Sequence, residues 1–411
     1  MKLTLTPTHL FGNITPPPSK SQLHRLILAA ALAQGESTLY RVTLSEDIRA
    51  TLHCAEKLGA AWKLAGNTLK ITGISPAQRS NGSLPQFDCG ESGSTLRFLI
   101  PIALATVGGG RFTGHGRLME RPMTPYLNLF QEKGIEIQRK GNRLIVQGIL
   151  TPGEYALPGN ISSQFFTGLL YALPLLNGSS TLCSTTRMES VGYIHMTLDA
   201  LTQFGISVKE YHSPTRYQIA GNSSYHPRNI DAEADWSQAA FWYAAKYLGN
   251  PISVNGMNPN SIQGDRIISH YIEQLNSSSC TIDASDCPDL VPPLAVCGAI
   301  GKGSLHLTNI ARLRMKESDR LSAITRTLSA LGADIMEAPD SLTIHGKPNL
   351  SGGITIDCCG DHRIAMMLAV AVTRCSAPVT LTGAQCVNKS YPNFWEDYQS
   401  LGGILYEHSG E

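Results

Sequence analysis

LGAAWKLAGNTLKITG, residues Leu58–Gly73, reads as the end of a helix, a glycine, a short strand, a turn and a second strand closed by another glycine. Gly59 suits a helix C-terminus, where a residue free to take positive φ closes the last turn. Gly66-Asn67 is hairpin chemistry. The same order of events returns as KGIEIQRKGNRLIVQG (Lys133–Gly148), FGISVKEYHSPTRYQIAG (Phe204–Gly221) and LGADIMEAPDSLTIHG (Leu331–Gly346), with Gly-Asn, Ser-Pro and Pro-Asp in the turns. These starts are spaced by about 70 residues, with one gap of about two periods. A degenerate copy near Tyr271–Ile282 is expected to fill the gap.

The last copy is cut short. LGGILYEHSGE (Leu401–Glu411) supplies the glycine and a first strand, and then the sequence stops. KLTLTP (Lys2–Pro7) resembles the missing second strand, since TLKITG, RLIVQG and SLTIHG share its pattern. The N-terminus is therefore expected to pair near Ile404–Tyr406. Six units of about 70 residues then form two groups of three. One group is an inserted domain, residues 18–234. The other is discontinuous, residues 1–17 plus 235–411. The fold class is α/β, and the chain crosses between domains twice. Helices are expected over Leu23–Ala33, Ser94–Ala105, Gln164–Leu176 and Gln238–Leu248, each opening after a serine- or glycine-containing turn.

Composition narrows the function. The 411 residues are 42% hydrophobic and 16% charged, as in a globular chain with a large core. Lys plus Arg is 33 against Asp plus Glu 32, which argues against nucleic-acid or membrane-surface binding. Ten cysteines without paired CxxC knuckles read as reduced thiols of a cytoplasmic protein. MKLTLTPTHLFG lacks the features of a signal peptide, and no apolar run approaches the roughly 18 residues of a membrane span.

Six short segments each set basic residues close to hydroxyl, glycine or proline neighbours: PPSKSQLHR (Pro17–Arg25), DCGESGSTLR (Asp88–Arg97), ERP (Glu120–Pro122), RMKESDR (Arg314–Arg320), DHR (Asp361–Arg363) and NKSYP (Asn388–Pro392). Arginine grips phosphate or carboxylate with a rigid fork, lysine adds a point charge, and backbone N–H groups at helix starts add donors. Such a chain gathers small anions.

Together and in this order, the six segments resemble the 5-enolpyruvylshikimate-3-phosphate synthase family of enolpyruvyl transferases. The resemblance spans nearly the whole chain. It implies a two-domain inside-out α/β barrel of six βαβαββ repeats, three per domain, with the active site in the interdomain cleft. It also implies transfer of the carboxyvinyl group of phosphoenolpyruvate to the 5-hydroxyl of shikimate 3-phosphate, with release of phosphate by addition and elimination, as a step of the shikimate pathway. No metal or organic cofactor, nucleic acid or membrane is implied, and the protein is expected to be a monomer.

The resemblance assigns residues as well. Lys20 matches a catalytic lysine that meets both substrates, and Ser21 and Arg25 match shikimate 3-phosphate ligands. Ser162, Ser163 and Gln164 in ISSQF, with Ser190 and Tyr193 in ESVGY, match further groups on that substrate, and Gln164 also faces phosphoenolpyruvate. Gly93 lines the phosphoenolpyruvate pocket, where a side chain would intrude. Arg121, Arg320, Arg363 and Lys389 match phosphoenolpyruvate ligands. Asp289 is expected to be the general base at the 5-hydroxyl. Glu317 is expected to move a proton at the methylene carbon, with Lys316 on shikimate 3-phosphate. Arg97 is expected to support the pocket, His362 to orient its neighbours, and Asp47 to face the cleft. Glu91 and Arg312 stand where relatives commonly carry asparagine.

Three rivals are weaker. UDP-N-acetylglucosamine enolpyruvyl transferase shares the chemistry but typically opens with Lys-Asn and often carries a loop cysteine. Here the pair is Lys20-Ser21 and Arg117–Pro122 has no cysteine. A phosphate-binding module has no use for Asp289 and Glu317. A nucleotide hydrolase would need a GxxxxGK[ST] loop, which is absent.

Overall fold

The computed structural model describes residues 1–74, 84–277 and 279–408. The final residues of the truncated copy, Ser409–Glu411, lie outside the described residues. The chain forms a mixed α/β fold with six sheets among the described residues. It divides into two compact units, one of Lys20–Glu233 and one of Met1–Ser19 with Ala234–Glu411. Each has its own apolar core.

In the unit Lys20–Glu233 the helices are α1 (Lys20–Leu32), α2 (Glu46–Leu58), α3 (Gly93–Val107), α4 (Thr124–Glu132), α5 (Ser163–Ala172) and α6 (Val191–Gln203). Three four-stranded sheets share one connectivity. In the first, Asn229–Asp231 runs parallel to Glu36–Tyr40, which pairs antiparallel with Thr68–Thr72, itself joined to Ala61–Ala65. In the second, Gln86–Asp88 runs beside Gly109–Thr113, followed by the hairpin of Arg143–Gln147 and Glu136–Lys140. In the third, Glu154–Leu157 runs beside Ser180–Ser184, followed by the hairpin of Thr215–Ile219 and Val208–His212, which turns through a cis Ser213–Pro214 bond.

Local chemistry explains the hairpins. Gly59 takes φ 105° and its N–H bonds the carbonyls of Ala55 and Glu56, so the helix ends and the chain turns into the first strand. In Thr68–Thr72, Leu69 and Ile71 are buried while Lys70 and Thr72 are exposed, the two-residue alternation of a sheet with one covered face. The closing Gly73 has a different cause. A Cβ there would sit 1.9 Å from the Ala33 carbonyl oxygen, so only glycine allows the approach.

In the other unit the helices are α7 (Trp236–Tyr247), α8 (Ile268–Gln274), α9 (Val291–Ala299), α10 (Arg320–Ala330), α11 (His362–Val372) and α12 (Phe394–Ser400). One four-stranded sheet runs Ser279–Asp283, Ser304–Thr308, Leu342–His345, Asp334–Glu337. The other runs Thr355–Asp357, Val379–Thr382, Lys2–Thr6, Ile404–Glu407. Here Lys2–Thr6 takes the place of the second hairpin strand, with Thr4 opposite Tyr406, the pairing its sequence led us to expect.

The expected copy near Tyr271–Ile282 has no hairpin among the described residues. After α8 the chain reaches Ser279–Asp283, which pairs parallel with Ser304–Thr308. Too few residues separate the two elements for two strands and a turn. A two-stranded parallel sheet of Gly12–Ile14 and Ile252–Val254 stands apart from the other five.

The inner helices are buried on nearly every side, and past their N-terminal turns they are apolar all round. Every residue of α11 is buried, and so is every residue of α1 from Gln22 onward. Their polar first turns, carrying Lys20 and Arg363, are where charge enters the fold. Helices α1, α3, α5 and α7 begin one to three residues before the sequence suggested, at Lys20, Gly93, Ser163 and Trp236.

Candidate active site

Two clusters of the expected residues form in the unit Lys20–Glu233. Lys20, the first residue of α1, has its Nζ 2.7 Å from Asp47 Oδ2 on α2. One turn later, Arg25 is buried and its Nε donates to Thr197 Oγ1 at 2.9 Å, with Nη1 to the Ser21 carbonyl at 2.6 Å and Nη2 to the Tyr193 carbonyl at 2.9 Å. The guanidinium also lies 5.3 Å from the Phe98 ring centroid and 6.0 Å from that of Tyr193. Burial pulls Arg25 down to about 10, with Tyr171 and Tyr193 opposing, so it stays cationic at neutral pH. A guanidinium carries five N–H groups, so these three bonds leave donors for a ligand. Ser190 precedes α6 with φ 57°, a conformation rare outside glycine, and is buried.

The second cluster surrounds Gly93, the first residue of α3. A Cβ on Gly93 would lie 2.9 Å from Arg121 Nη1 and 3.4 Å from Gln164 Oε1. Arg121 follows the short turn Leu118–Glu120 and is buried. Ser162 caps α5 by accepting from the Gln164 N–H at 3.3 Å, and Ser163 is buried in the first turn. Gln164 Oε1 accepts from Arg97 Nη1 at 2.7 Å, and its Nε2 donates to Ser94 Oγ at 3.0 Å. Arg97 Nη2 also donates to the Pro122 carbonyl at 3.1 Å. Arg97 therefore ties α3 to the segment carrying Arg121 and to the amide of Gln164. Glu91 lies over Gly116, with Oε2 2.6 Å from where a Cβ on that glycine would be.

The third cluster belongs to the other unit and holds the two carboxylates. Asp289 sits in the turn Pro288–Leu290 just before α9. Its Oδ1 accepts from Arg320 Nη1 at 3.0 Å and its Oδ2 from Arg363 Nη2 at 2.9 Å, with Lys316 Nζ at 3.9 Å. Glu317 Oε2 accepts from Arg320 Nη2 at 2.6 Å. Arg320 opens α10, and Asp361 holds its inner edge, accepting from Nε at 2.9 Å and from Nη2 at 3.3 Å. Asp361 is fully buried, accepts from Ser318 Oγ at 3.0 Å and caps α11 at the Arg363 N–H. Arg363 is held from behind by Ser237 Oγ, which accepts from Nη2 at 3.0 Å. Lys389 Nζ donates to the Gly360 carbonyl at 2.7 Å, in the turn that leads into Asp361.

Charge balance decides the protonation states. Burial works against the Asp289 carboxylate, but Arg363, Lys316 and Arg320 outweigh burial and the opposing Glu317, so its carboxyl is held well below the usual carboxylate range. Burial brings Lys316 down to about 8, against the pull of Asp289 and Glu317 and with the help of Arg320 and Arg312. Burial disfavours the Arg320 cation, yet Asp361, Glu317 and Asp289 together hold it above its ordinary value. The Arg312 guanidinium donates to the Ser285 carbonyl.

Two participants escaped the sequence reading. Asp361 stands in DHR, two residues before Arg363. An aspartate one residue before an apolar helix is the usual signal of an N-cap, and that signal was available. Ser237 lies in the turn before the expected helix Gln238–Leu248, and its bond to Arg363 spans 126 residues of sequence. Among the described residues no group of three or more His, Cys, Asp or Glu side chains is arranged to hold a metal ion, and no helix is long and apolar enough to cross a membrane.

The model of the EPSP synthase (3-phosphoshikimate 1-carboxyvinyltransferase) family matches residues 5–398. A 3-phosphoshikimate 1-carboxyvinyltransferase of Clostridium kluyveri is 43% identical over 426 residues, covering 99% of each chain. One from Clostridium perfringens is also 43% identical, over 425 residues and 99% of each chain. Among solved structures, EPSP synthase from Acinetobacter baumannii superposes with a TM-score of 0.78 at 23% identity, covering 99% of this chain and 100% of that one. The enolpyruvyl transferase NikO from Streptomyces tendae gives 0.79 at 16% identity, over 100% of this chain and 99% of that one. At such identity these two likenesses speak for the fold alone.

The chain is an enzyme of the transferase class. It belongs to the EPSP synthase family, the 3-phosphoshikimate 1-carboxyvinyltransferases.

Proposed function

We propose that the protein transfers the carboxyvinyl group of phosphoenolpyruvate to the 5-hydroxyl of shikimate 3-phosphate and releases phosphate. The observation that carries this reading is the third cluster, where Asp289 and Glu317 stand among Lys316, Arg320 and Arg363. Cations alone suffice to bind anions, and a partly exposed carboxylate held among them can take and give a proton. The 5-hydroxyl oxygen bonds to C2 of phosphoenolpyruvate as C3 takes a proton, giving a tetrahedral adduct. Loss of a C3 proton then expels phosphate and restores the double bond. Asp289 takes the hydroxyl proton, Glu317 serves the carbon, and Lys20 assists phosphate departure.

The anion ligands follow. Lys20, Ser21, Arg25, Ser162, Ser163, Gln164, Ser190, Tyr193, Asp289 and Lys316 hold shikimate 3-phosphate. Lys20, Gly93, Arg121, Gln164, Arg320, Arg363 and Lys389 hold phosphoenolpyruvate. The reading requires residues of both units to act on one pair of substrates. It also takes the fold as a two-domain inside-out α/β barrel of six βαβαββ repeats, supported by the one connectivity shared by five sheets. The protein works as a cytoplasmic monomer without metal or organic cofactor. Phosphate release that requires both substrates tests the function; release with UDP-N-acetylglucosamine instead of shikimate 3-phosphate would overturn it. Sedimentation equilibrium tests the monomer.

A further inference from the structure

The donors that should grip phosphoenolpyruvate are already engaged by protein carboxylates. Each of the three nitrogens of Arg320 donates to a carboxylate: Nε to Asp361, Nη1 to Asp289, and Nη2 to Glu317 and Asp361. Nη2 of Arg363 donates to Asp289 as well. The bonds differ in permanence. Asp361 is fully buried, caps α11 and receives Ser318, so it is fixed. Asp289 and Glu317 are partly exposed, at 16% and 15% of their side chains, whereas Arg320 is 1% exposed.

We propose that Asp289 and Glu317 act as internal occupants of the phosphoenolpyruvate grip, so that substrate binds by displacing them from Arg320 and Arg363. This rests on the function proposed above. The exchange trades two protein carboxylates for that of the substrate at two arginines, while Asp361 and Ser237 keep both guanidiniums in place. It has a chemical consequence. A carboxylate relieved of two guanidiniums is a stronger proton acceptor than one bound by them. The base is held inactive by the same cations that the substrate must claim, and substrate arrival releases it. Substrate binding and activation of the base then become one event. The cost is affinity, because phosphoenolpyruvate must outcompete a tethered carboxylate.

That cost gives the test. Phosphoenolpyruvate alone is titrated into wild type, Asp289→Asn and Glu317→Gln by calorimetry, with thermal unfolding checked for each. The exchange predicts that Asp289→Asn binds phosphoenolpyruvate about tenfold tighter than wild type, the scale of one charge-assisted contact no longer broken. Glu317→Gln, which loses its bond to Arg320 Nη2, should tighten it as well. Weaker or unchanged binding in Asp289→Asn overturns the proposal, because the carboxylates then support the substrate or ignore it. If Asp289→Asn does not fold, Glu317→Gln alone decides, and it must be tighter than wild type. Wild-type turnover with both substrates is measured beside this. Turnover without tightening sinks the exchange and leaves the function standing, whereas no turnover sinks the function itself.

Discussion

Gly93 and Arg121 approach closely because Gly93 carries no side chain: a Cβ on Gly93 would lie 2.9 Å from Arg121 Nη1. The neighbour is the far end of a flexible side chain, so Gly93→Ala is expected to fold and to push the guanidinium aside. Gln164 Oε1, 3.4 Å from the same point, limits the direction of escape. The expected result is a KM for phosphoenolpyruvate raised by about tenfold, the scale of losing most of one charge-assisted bond. The KM for shikimate 3-phosphate and the melting temperature should barely move. Equal changes in both KM values would show that Gly93 is not specific to the phosphoenolpyruvate side.

Arg121 and Lys389 come from different units and should behave alike. Replacing either by alanine removes a cation assigned to phosphoenolpyruvate, and each should weaken that substrate by roughly 1.5–3 kcal/mol. Arg25→Ala should weaken shikimate 3-phosphate instead. Steady-state kinetics with each substrate varied in turn separates the two patterns. Equal losses for both substrates in all three variants would refute the assignment.

Lys2–Thr6 is an inner strand, between Val379–Thr382 and Ile404–Glu407. Leu3 and Leu5 are both fully buried in the core of that unit. Leu5→Ala should therefore cost about 2–5 kcal/mol, as core leucine truncations do, although it lies near a chain end. Urea unfolding measures this. A loss below about 0.5 kcal/mol, ordinary for a surface site, would mean the strand is not integral.

The hairpins were legible because their determinants are local. Gly59, the Gly66-Asn67 turn and the tight closing Gly73 act within a few residues, so they leave a mark in the string itself. The pairing of Lys2–Thr6 with Ile404–Glu407 was legible for the same reason, since the two fragments complete one pattern. The degenerate copy failed because its pattern was thin, and α8 leads straight into a parallel strand. In the site, residue types were legible and their relations were not. Arg363 and Asp289 meet across 74 residues of sequence, and Arg320 and Asp361 across 41. No periodicity encodes such contacts. The role of Asp361 as the fixed partner appears only when both helix starts are seen together.

Lys316 gives a pH signature. Burial sets it at about 8, below the ordinary 10.5 of lysine, so it is charged at neutral pH and loses its proton as pH rises through 8. Its grip on shikimate 3-phosphate should fade over the same range. The quantity to follow is kcat/KM for shikimate 3-phosphate, which reports groups of the free enzyme. It should fall above pH 8 in wild type and stay flat in Lys316→Arg, whose guanidinium remains charged. A wild-type profile that is level to pH 9.5 would remove Lys316 from the binding of this substrate.

Proton traffic is the most demanding part of the reaction. The 5-hydroxyl must lose a proton while the methylene carbon gains one, and the carbon must give one back as phosphate leaves. Asp289 and Glu317 both contact Arg320, so a change at one is felt by the other. Proton transfer by one positioned group contributes roughly 10²–10⁴-fold, so Asp289→Asn and Glu317→Gln should each lose about that much turnover while still binding shikimate 3-phosphate. Rates alone do not divide the work between them. Deuterium from solvent can enter the product methylene only through the protonated adduct, so its incorporation reports the group serving carbon. Glu317→Gln should slow incorporation in step with turnover. Asp289→Asn should leave the ratio of incorporation to turnover unchanged, because it acts at oxygen. If Glu317→Gln exchanges deuterium as fast as wild type, Glu317 is not the acid and base at carbon, and that task falls to Lys20, the cation that Asp47 holds at 2.7 Å in the other unit.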